Sequence, residues 1–155
     1  MMLNYSRAND FPKSGFAAGP CLLKDTMQLA SFSREQFTFG NSAMLVNESL
    51  PDFLVEMLKR EITLKNKKTL ILGMAFKADN DDIRDSLAFR LRKKLKQEGS
   101  IVTCHDPYIK EFKKHTIKSL IKKNELILIG CPHKHYKNLQ KNFKNKRLID
   151  CLGFL

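Results

Sequence analysis

The stretch "GFAAGPCLLKDTMQL", Gly15 to Leu29, sets a cysteine behind a glycine-rich loop, with Lys24 three and Asp25 four residues further on. A thiol in such a loop is a nucleophile facing a substrate, or else a small buried hydrophobe at a helix start. The local spacing is compatible with both. Two other clusters invite a metal reading, and both fail on spacing. "CPHKH", Cys131 to His135, has no second Cys or His pair at zinc distance along the chain, so no metal site is expected. "DNDDIRDS", read as a calcium loop from Asp79, puts Arg84 at the sixth position, where the turn requires glycine.

These residues need elements to hold them. "KDTMQLASFS" from Lys24 predicts a helix that opens beside Cys21. Asn41 to Ile62 places Val46, Leu50, Phe53, Leu54, Met57 and Leu58 on one face at helical spacing. Pro51 is expected to kink or divide that helix, because proline lacks a donor and clashes with the preceding turn. After a polar joint, "TLKNKK", the rhythm becomes strand, loop, helix. "TLILGMAF", Thr69 to Phe76, is a continuous apolar run suited to a strand buried on both faces. Ser86 is placed to cap a helix over "LAFRLRKKLKQE", with Gly99 just past its end. "SIVTCHDPY", "ELILIGCPH" and "KRLIDCLGFL" supply three more strands. The alternation predicts an α/β fold with a parallel sheet. Such sheets bind ligands outside the carboxyl ends of their strands, which selects the loop after Phe76 and the turns at Asp106 and Cys131. No G-x-G-x-x-G or G-x-x-x-x-G-K-[ST] follows any strand, so a nucleotide bound here is bound without the usual glycine signature.

Composition narrows the class. The chain has 155 residues, 43% hydrophobic and 28% charged, as in globular proteins. No apolar run reaches the roughly 20 residues that span a bilayer, and the N-terminus lacks a secretory core, so a cytoplasmic protein with no membrane partner is expected. The four cysteines form no C-x-x-C pair and are expected to be reduced. Of the net charge of +12, much comes from Lys110 to Arg147, where 12 Lys and Arg face only Glu111 and Glu125. That segment could meet nucleic acid or another polyanion. It lacks aromatic interleaving and any nucleic-acid motif, and reads as a solvated Lys-rich surface.

The order of "GFAAGPCLLKDTMQL", "VNESLP", "LGMAFKADNDDIRDS" and "CHDPY" resembles the second half of the UDP-glucose/GDP-mannose dehydrogenase family, from about Gly15 to Gly153. The resemblance implies a Rossmann-like parallel-sheet UDP-sugar-binding domain at residues 65–155. Before it, residues 1–64 would hold the catalytic-cysteine loop and a helical central segment that builds a homodimer. Its members oxidise the C6 alcohol of a nucleotide sugar to a carboxylate in two NAD-dependent steps, often for polysaccharide biosynthesis. On this resemblance Cys21 is the nucleophile. It would take the intermediate aldehyde as a thiohemiacetal and then hold a thioester that water cleaves. Asp25, one helical turn on, matches an aspartate that organises the water and a catalytic lysine, and a helix N-terminus at Cys21 would favour the thiolate. Gly15, Phe16 and Gly19 match the segment that wraps sugar and nucleotide, with Ala17 and Ala18 between them. Lys77 matches a lysine that contacts the nucleotide sugar. Arg84 matches the arginine of the D-x-R-x-S motif, either pyrophosphate-adjacent or paired to Asp81 or Asp82.

The resemblance also implies parts that these residues lack. Its members carry an N-terminal NAD-binding Rossmann domain, with a lysine and a glutamate upstream of the cysteine loop. After the final aspartate many carry a basic residue, where Cys151 and Leu152 stand here. The expectation is a truncated portion of the enzyme, inactive alone or served by a partner chain that supplies the NAD site. The alternative is a non-catalytic module that binds a nucleotide sugar or a polyanion.

Overall fold

The computed structural model describes residues 15, 16, 19, 21–34 and 36–155. Ala17 and Ala18 of the glycine-rich loop lie outside the described residues, as do residues 1–14.

Four short strands, β1 (Lys68–Leu72), β2 (Ile101–His105), β3 (Leu126–Ile129) and β4 (Arg147–Ile149), form one sheet in the order β2-β1-β3-β4. Every pairing is parallel; Thr69 stands opposite Val102 on one side and Leu126 on the other. The central strands follow from their apolar runs. Alternate residues serve opposite faces, and both faces are covered. Ile71, Leu126 and Leu128 pack with Val55, Leu58, Leu91 and Leu95. Leu70, Leu72, Ile127 and Ile129 pack with Ile117, Leu120, Tyr136 and Phe143 on the other face. Burying each such Leu or Ile contributes about 1.5–3 kcal/mol. The covering helices are α3 (Leu87–Gln97) and α4 (Ile117–Lys123), with a 3-10 helix at Lys134–Phe143.

Ser86 stands at the start of α3 with extended backbone, but its hydroxyl makes no capping bond, contrary to expectation. The turn closes through its carbonyl, which accepts the Phe89 N–H at 3.2 Å. The far end of α3 closes as expected: Gly99 N–H reaches the Lys96 carbonyl and Ser100 N–H the Leu95 carbonyl, both at 3.0 Å.

Ahead of the sheet lie α1 (Leu22–Phe32) and α2 (Thr38–Glu61). Pro51 does not divide α2, which runs unbroken for 24 residues. The physical reason lies in α3, which braces α2 on both sides of the proline. Arg90 Nη1 donates to the Glu48 carbonyl at 2.9 Å and to its carboxylate at 2.8 Å, and Lys94 pairs with Asp52 at 2.9 Å. The apolar face expected along α2 divides between buried and exposed positions. Pro51, Leu54, Val55 and Leu58 turn inward, because α3 and the sheet meet α2 only along that line. Val46 and Phe53 are 62% and 63% exposed. Among the described residues no helix is long and apolar enough to cross a membrane.

Candidate functional site

In sequence order the chain leaves β1 toward β2 on one side, and continues from β3 to β4 on the other. The crevice between the carboxyl ends of β1 and β3 is therefore the switch point where such sheets take ligands. Its floor is tight. Gly73 ends β1 at φ +89°, and a Cβ there would lie 2.5–2.6 Å from Cys131, two of the three contacts being backbone atoms, so only glycine fits.

The loop that leaves Gly73 is tied down by one buried carboxylate. Asp106 Oδ2 accepts the N–H groups of Met74 and Ala75, at 2.7 and 3.1 Å. The same oxygen takes a bond from His133 Nε2 at 2.9 Å. Asp106 Oδ1 accepts the N–H groups of Tyr108 and Ile109, at 2.9 and 3.2 Å. Asp106 and His133 are both 0% exposed. Burial by itself would raise the Asp106 pKa. The bonds from His133, Met74 and Tyr108 outweigh burial and hold it down at about 2. His133 Nδ1 accepts the Asp79 N–H at 2.8 Å, which leaves Nε2 as the protonated nitrogen. Asp79 in turn accepts the Tyr108 hydroxyl and the Lys134 N–H, at 3.2 and 3.0 Å. Its φ of +56° is a left-handed value that these contacts impose on a non-glycine residue.

Lys77 lies exposed on the span between these anchors. Further along, Arg84 forks onto Asp82: Nε reaches its two oxygens at 3.1 and 3.0 Å and Nη2 reaches Oδ2 at 2.6 Å. Of the two acidic partners left open, Asp82 is the one used. Its carboxyl is held below the usual range by the Arg84 side-chain bond. The Arg84 side chain is nevertheless 68% exposed.

The described residues of the cysteine loop lie beside these strand ends. A methyl on Gly15 would overlap Leu152 beyond β4, and a Cβ on Gly19, at φ +126°, would lie 3.0 Å from the Phe76 ring beyond β1. Phe16 packs against the α2–α3 side of the core and, with Gly15, Leu50, Phe53, Leu54 and Cys151, lines an apolar pocket of about 320 Å³. The start of α1 then meets the start of α3, since Leu23 shares a crevice with Asp85, Ser86 and Leu87. The structure thus brings Gly15, Phe16, Gly19 and Cys21 to the same end of the sheet as Lys77 and Arg84.

Cys21 is exposed, which sets aside the buried-thiol alternative. Burial pushes the thiols of Cys104 and Cys131 up to about 11 and about 12 and raises that of Cys151. Asp25 donates its N–H to the Cys21 carbonyl at 2.8 Å, but its carboxylate pairs with Lys24 at 3.4 Å in solvent. At the C-terminal turn, Asp150 accepts the N–H groups of Leu152, Phe154 and Leu155, at 3.1, 2.8 and 2.8 Å.

Asp79, Asp106 and His133 were not singled out by residue-level reading. The parallel-sheet rule had pointed to the turns at Asp106 and Cys131, and "CHDPY" and "CPHKH" carried the signal. The partnership that joins them spans 27 residues and leaves no local spacing pattern.

The model of the UDP-glucose/GDP-mannose dehydrogenase family, UDP binding domain, matches residues 70–155. A UDP-N-acetyl-D-mannosamine dehydrogenase from Methanocaldococcus jannaschii is 28% identical over 161 residues, covering 97% of this chain and 38% of its own length. A UDP-glucose 6-dehydrogenase from Haloferax volcanii is 33% identical over 96 residues, covering 60% of this chain and 22% of its own length. Among solved structures, a UDP-D-ManNAc dehydrogenase from Pyrococcus horikoshii superposes with a TM-score of 0.79 at 27% identity, over 93% of this chain and 36% of that one. The chain thus spans less than two fifths of each of these proteins. With more than half its residues inside that match, the chain belongs to the UDP-glucose/GDP-mannose dehydrogenase family.

Proposed function

We propose that this chain is the cysteine-bearing and nucleotide-binding portion of a nucleotide-sugar dehydrogenase that converts a UDP-sugar C6 alcohol to the carboxylate. Residues 65–155 would hold the nucleotide, and residues 1–64 would present the nucleophile and a dimer-forming helix. The observation that supports this reading is where the described residues of the cysteine loop lie. Gly15 abuts Leu152 beyond β4, and Gly19 abuts the Phe76 ring beyond β1. Cys21, two residues after Gly19, is exposed at the end of the sheet where such folds take a ligand.

In this reading Lys77 and the free side of Arg84 face the diphosphate, and the glycines let the loop backbone approach the sugar. Cys21 Sγ, as thiolate, attacks the C6 aldehyde carbon; a carbon–sulfur bond forms and the carbonyl oxygen takes a proton. At the thioester stage water adds to the same carbon, the carbon–sulfur bond breaks, and the thiolate leaves with the carboxylate formed. The oxidation of the alcohol to that aldehyde and the oxidation of the thiohemiacetal to the thioester each need one NAD, and the residues described do not fit a dinucleotide at β1. The turn reads Gly73-Met74-Ala75-Phe76, and the amides of Met74 and Ala75 are already committed to Asp106. No hydride step is assigned to these residues; the NAD site would come from a further segment or a partner chain.

Calorimetric titration of the chain with UDP, UDP-glucose, UDP-N-acetylmannosamine and GDP-mannose tests the nucleotide assignment. Saturable binding of the UDP series, weakened about tenfold or more in Lys77→Ala, is expected. Binding of none of them, or an unaltered Lys77→Ala, counts against it.

The proposed homodimer rests on α2. Phe39, Ala43, Val46, Leu50, Phe53 and Met57 alternate at four and three residues, the spacing of a helix–helix seam. Phe39, Val46 and Phe53 are the exposed line of that seam. A second copy of α2 is the occupant whose pattern matches it by construction. Sedimentation should give a dimer that Phe53→Glu converts to monomer; a wild-type monomer at high concentration would remove this part of the proposal.

A further inference from the structure

We propose that His133 is a positioning residue for the loop that presents Lys77, and that it acts through its Nδ1 acceptor on the Asp79 amide. The inference rests on the nucleotide role given to Lys77 above. Lys77 sits on a short span whose two ends converge on one buried pair. The near end is held by Asp106, which takes the Met74 and Ala75 amides. The far end is held by His133, which takes the Asp79 amide at 2.8 Å. The pair is itself joined by the 2.9 Å bond from His133 to Asp106, which orients the ring so that Nδ1 faces the Asp79 amide.

The ring has little room to turn. Tyr108 and Tyr136 lie against it, with ring centres at 5.1 and 5.6 Å, and the residue is fully buried. Its tautomer is set from both sides, since Asp106 can only accept and the Asp79 amide can only donate. Asp79 lies in the left-handed region, which a free aspartate populates sparsely, so the bond to His133 selects a conformation that the loop alone would leave. Fixing the span in advance removes part of the ordering entropy that Lys77 would otherwise lose when it meets a diphosphate.

Two substitutions of the full chain separate this from simple packing. His133→Asn keeps an acceptor near the Nδ1 position and loses the donor to Asp106. His133→Gln keeps a donor near the Nε2 position and loses the acceptor. In His133→Gln, UDP affinity and Asp79 amide protection should each fall about tenfold, and in His133→Asn they should stay within about threefold of wild type. Amide protection in β1 reports that both variants remain folded. Equal losses in the two variants, or no loss in His133→Gln, would overturn the proposal. If the wild-type chain binds no UDP, the nucleotide reading fails, and the Asp79 exchange rates alone still decide whether His133 holds the loop. If His133→Gln does not fold, imidazole nitrogen shifts of the wild type decide: hydrogen on Nδ1, or an unprotected Asp79 amide, would rule the proposal out.

Discussion

The two walls that meet at the carboxyl end of the sheet are built in opposite ways. On the Asp106 side a fully buried carboxylate accepts five hydrogen bonds, four of them from backbone amides, and every contact has a partner of fixed geometry. On the Cys21 side the loop is held by apolar contacts at Gly15 and Gly19, while the thiol and the Asp25 carboxylate stand in solvent. The first wall is preorganised and carries no reactive group. The second carries Cys21, the proposed nucleophile, and has little polar structure to aim it. Rigidity belongs where a charged ligand must be met with its ordering already complete; a nucleophile that must approach, bond and release a substrate can sit on the looser side. Changes on the buried wall should therefore move stability and affinity together, and changes on the exposed wall should move reactivity alone.

The hardest test of that division is Asp106→Ala. It strands the buried Met74 and Ala75 amides and the His133 N–H, and should lower unfolding stability by about 3–5 kcal/mol, read by urea denaturation. Cys21→Ser on the other wall should change it by less than about 0.5 kcal/mol. Comparable losses in the two variants would mean the walls are not different in kind.

Acid should act on the buried wall in two stages. Burial lowers the pKa of His105, packed on Tyr136, from 6.5 to about 4, with the charge of His135 a smaller cause. The unfolded chain then takes up this proton first, so stability is full above about pH 6.5 and falls by up to about 3 kcal/mol toward pH 4. Asp106 is depressed in the folded state. Its contribution, about 2 kcal/mol, is present above about pH 4 and is lost as the pH falls through 2. Denaturation midpoints between pH 7 and 3 should decline throughout, and His105→Phe should flatten the upper part of the decline. A flat profile from 6.5 to 4 would show that His105 is already charged in the folded state.

How much of this was legible follows from how local each determinant is. The strands were readable because a run such as Leu70–Leu72 is apolar at every position, but the expected run to Phe76 stops at Leu72, because Gly73 turns the chain where a Cβ would meet the backbone of Cys131. Pro51 misled because its tolerance depends on α3, whose Arg90 braces Glu48 from 42 residues away. Phe53 was placed on one apolar face with Leu54 and Leu58, because periodicity reports a face without saying what covers it. His133 escaped because a lone histidine acquires its role only from Asp106 and Asp79, and neither lies within helical or strand spacing of it. Cys21 was located by its surrounding motif, but its exposure came only with the structure.

That exposure leads to the smallest effects, all on the open wall. Alkylation by iodoacetamide near pH 7.5 should mark Cys21 at least about tenfold faster than Cys104, Cys131 or Cys151, which burial keeps protonated. Peptide mapping after brief treatment reads this directly, and early labelling of Cys131 would mean that the crevice opens. Asp25→Asn then asks whether the carboxylate one turn along already tunes the thiol. With its side chain 63% exposed and turned to Lys24, it should change stability by less than about 0.5 kcal/mol and the Cys21 labelling rate by less than about twofold. A markedly altered rate would place the carboxylate against the sulfur in solution and make the exposed wall more ordered than its contacts indicate. An unaltered rate means that any alignment of Cys21 with Asp25 for the proposed chemistry arrives with the substrate or with a further segment or partner chain.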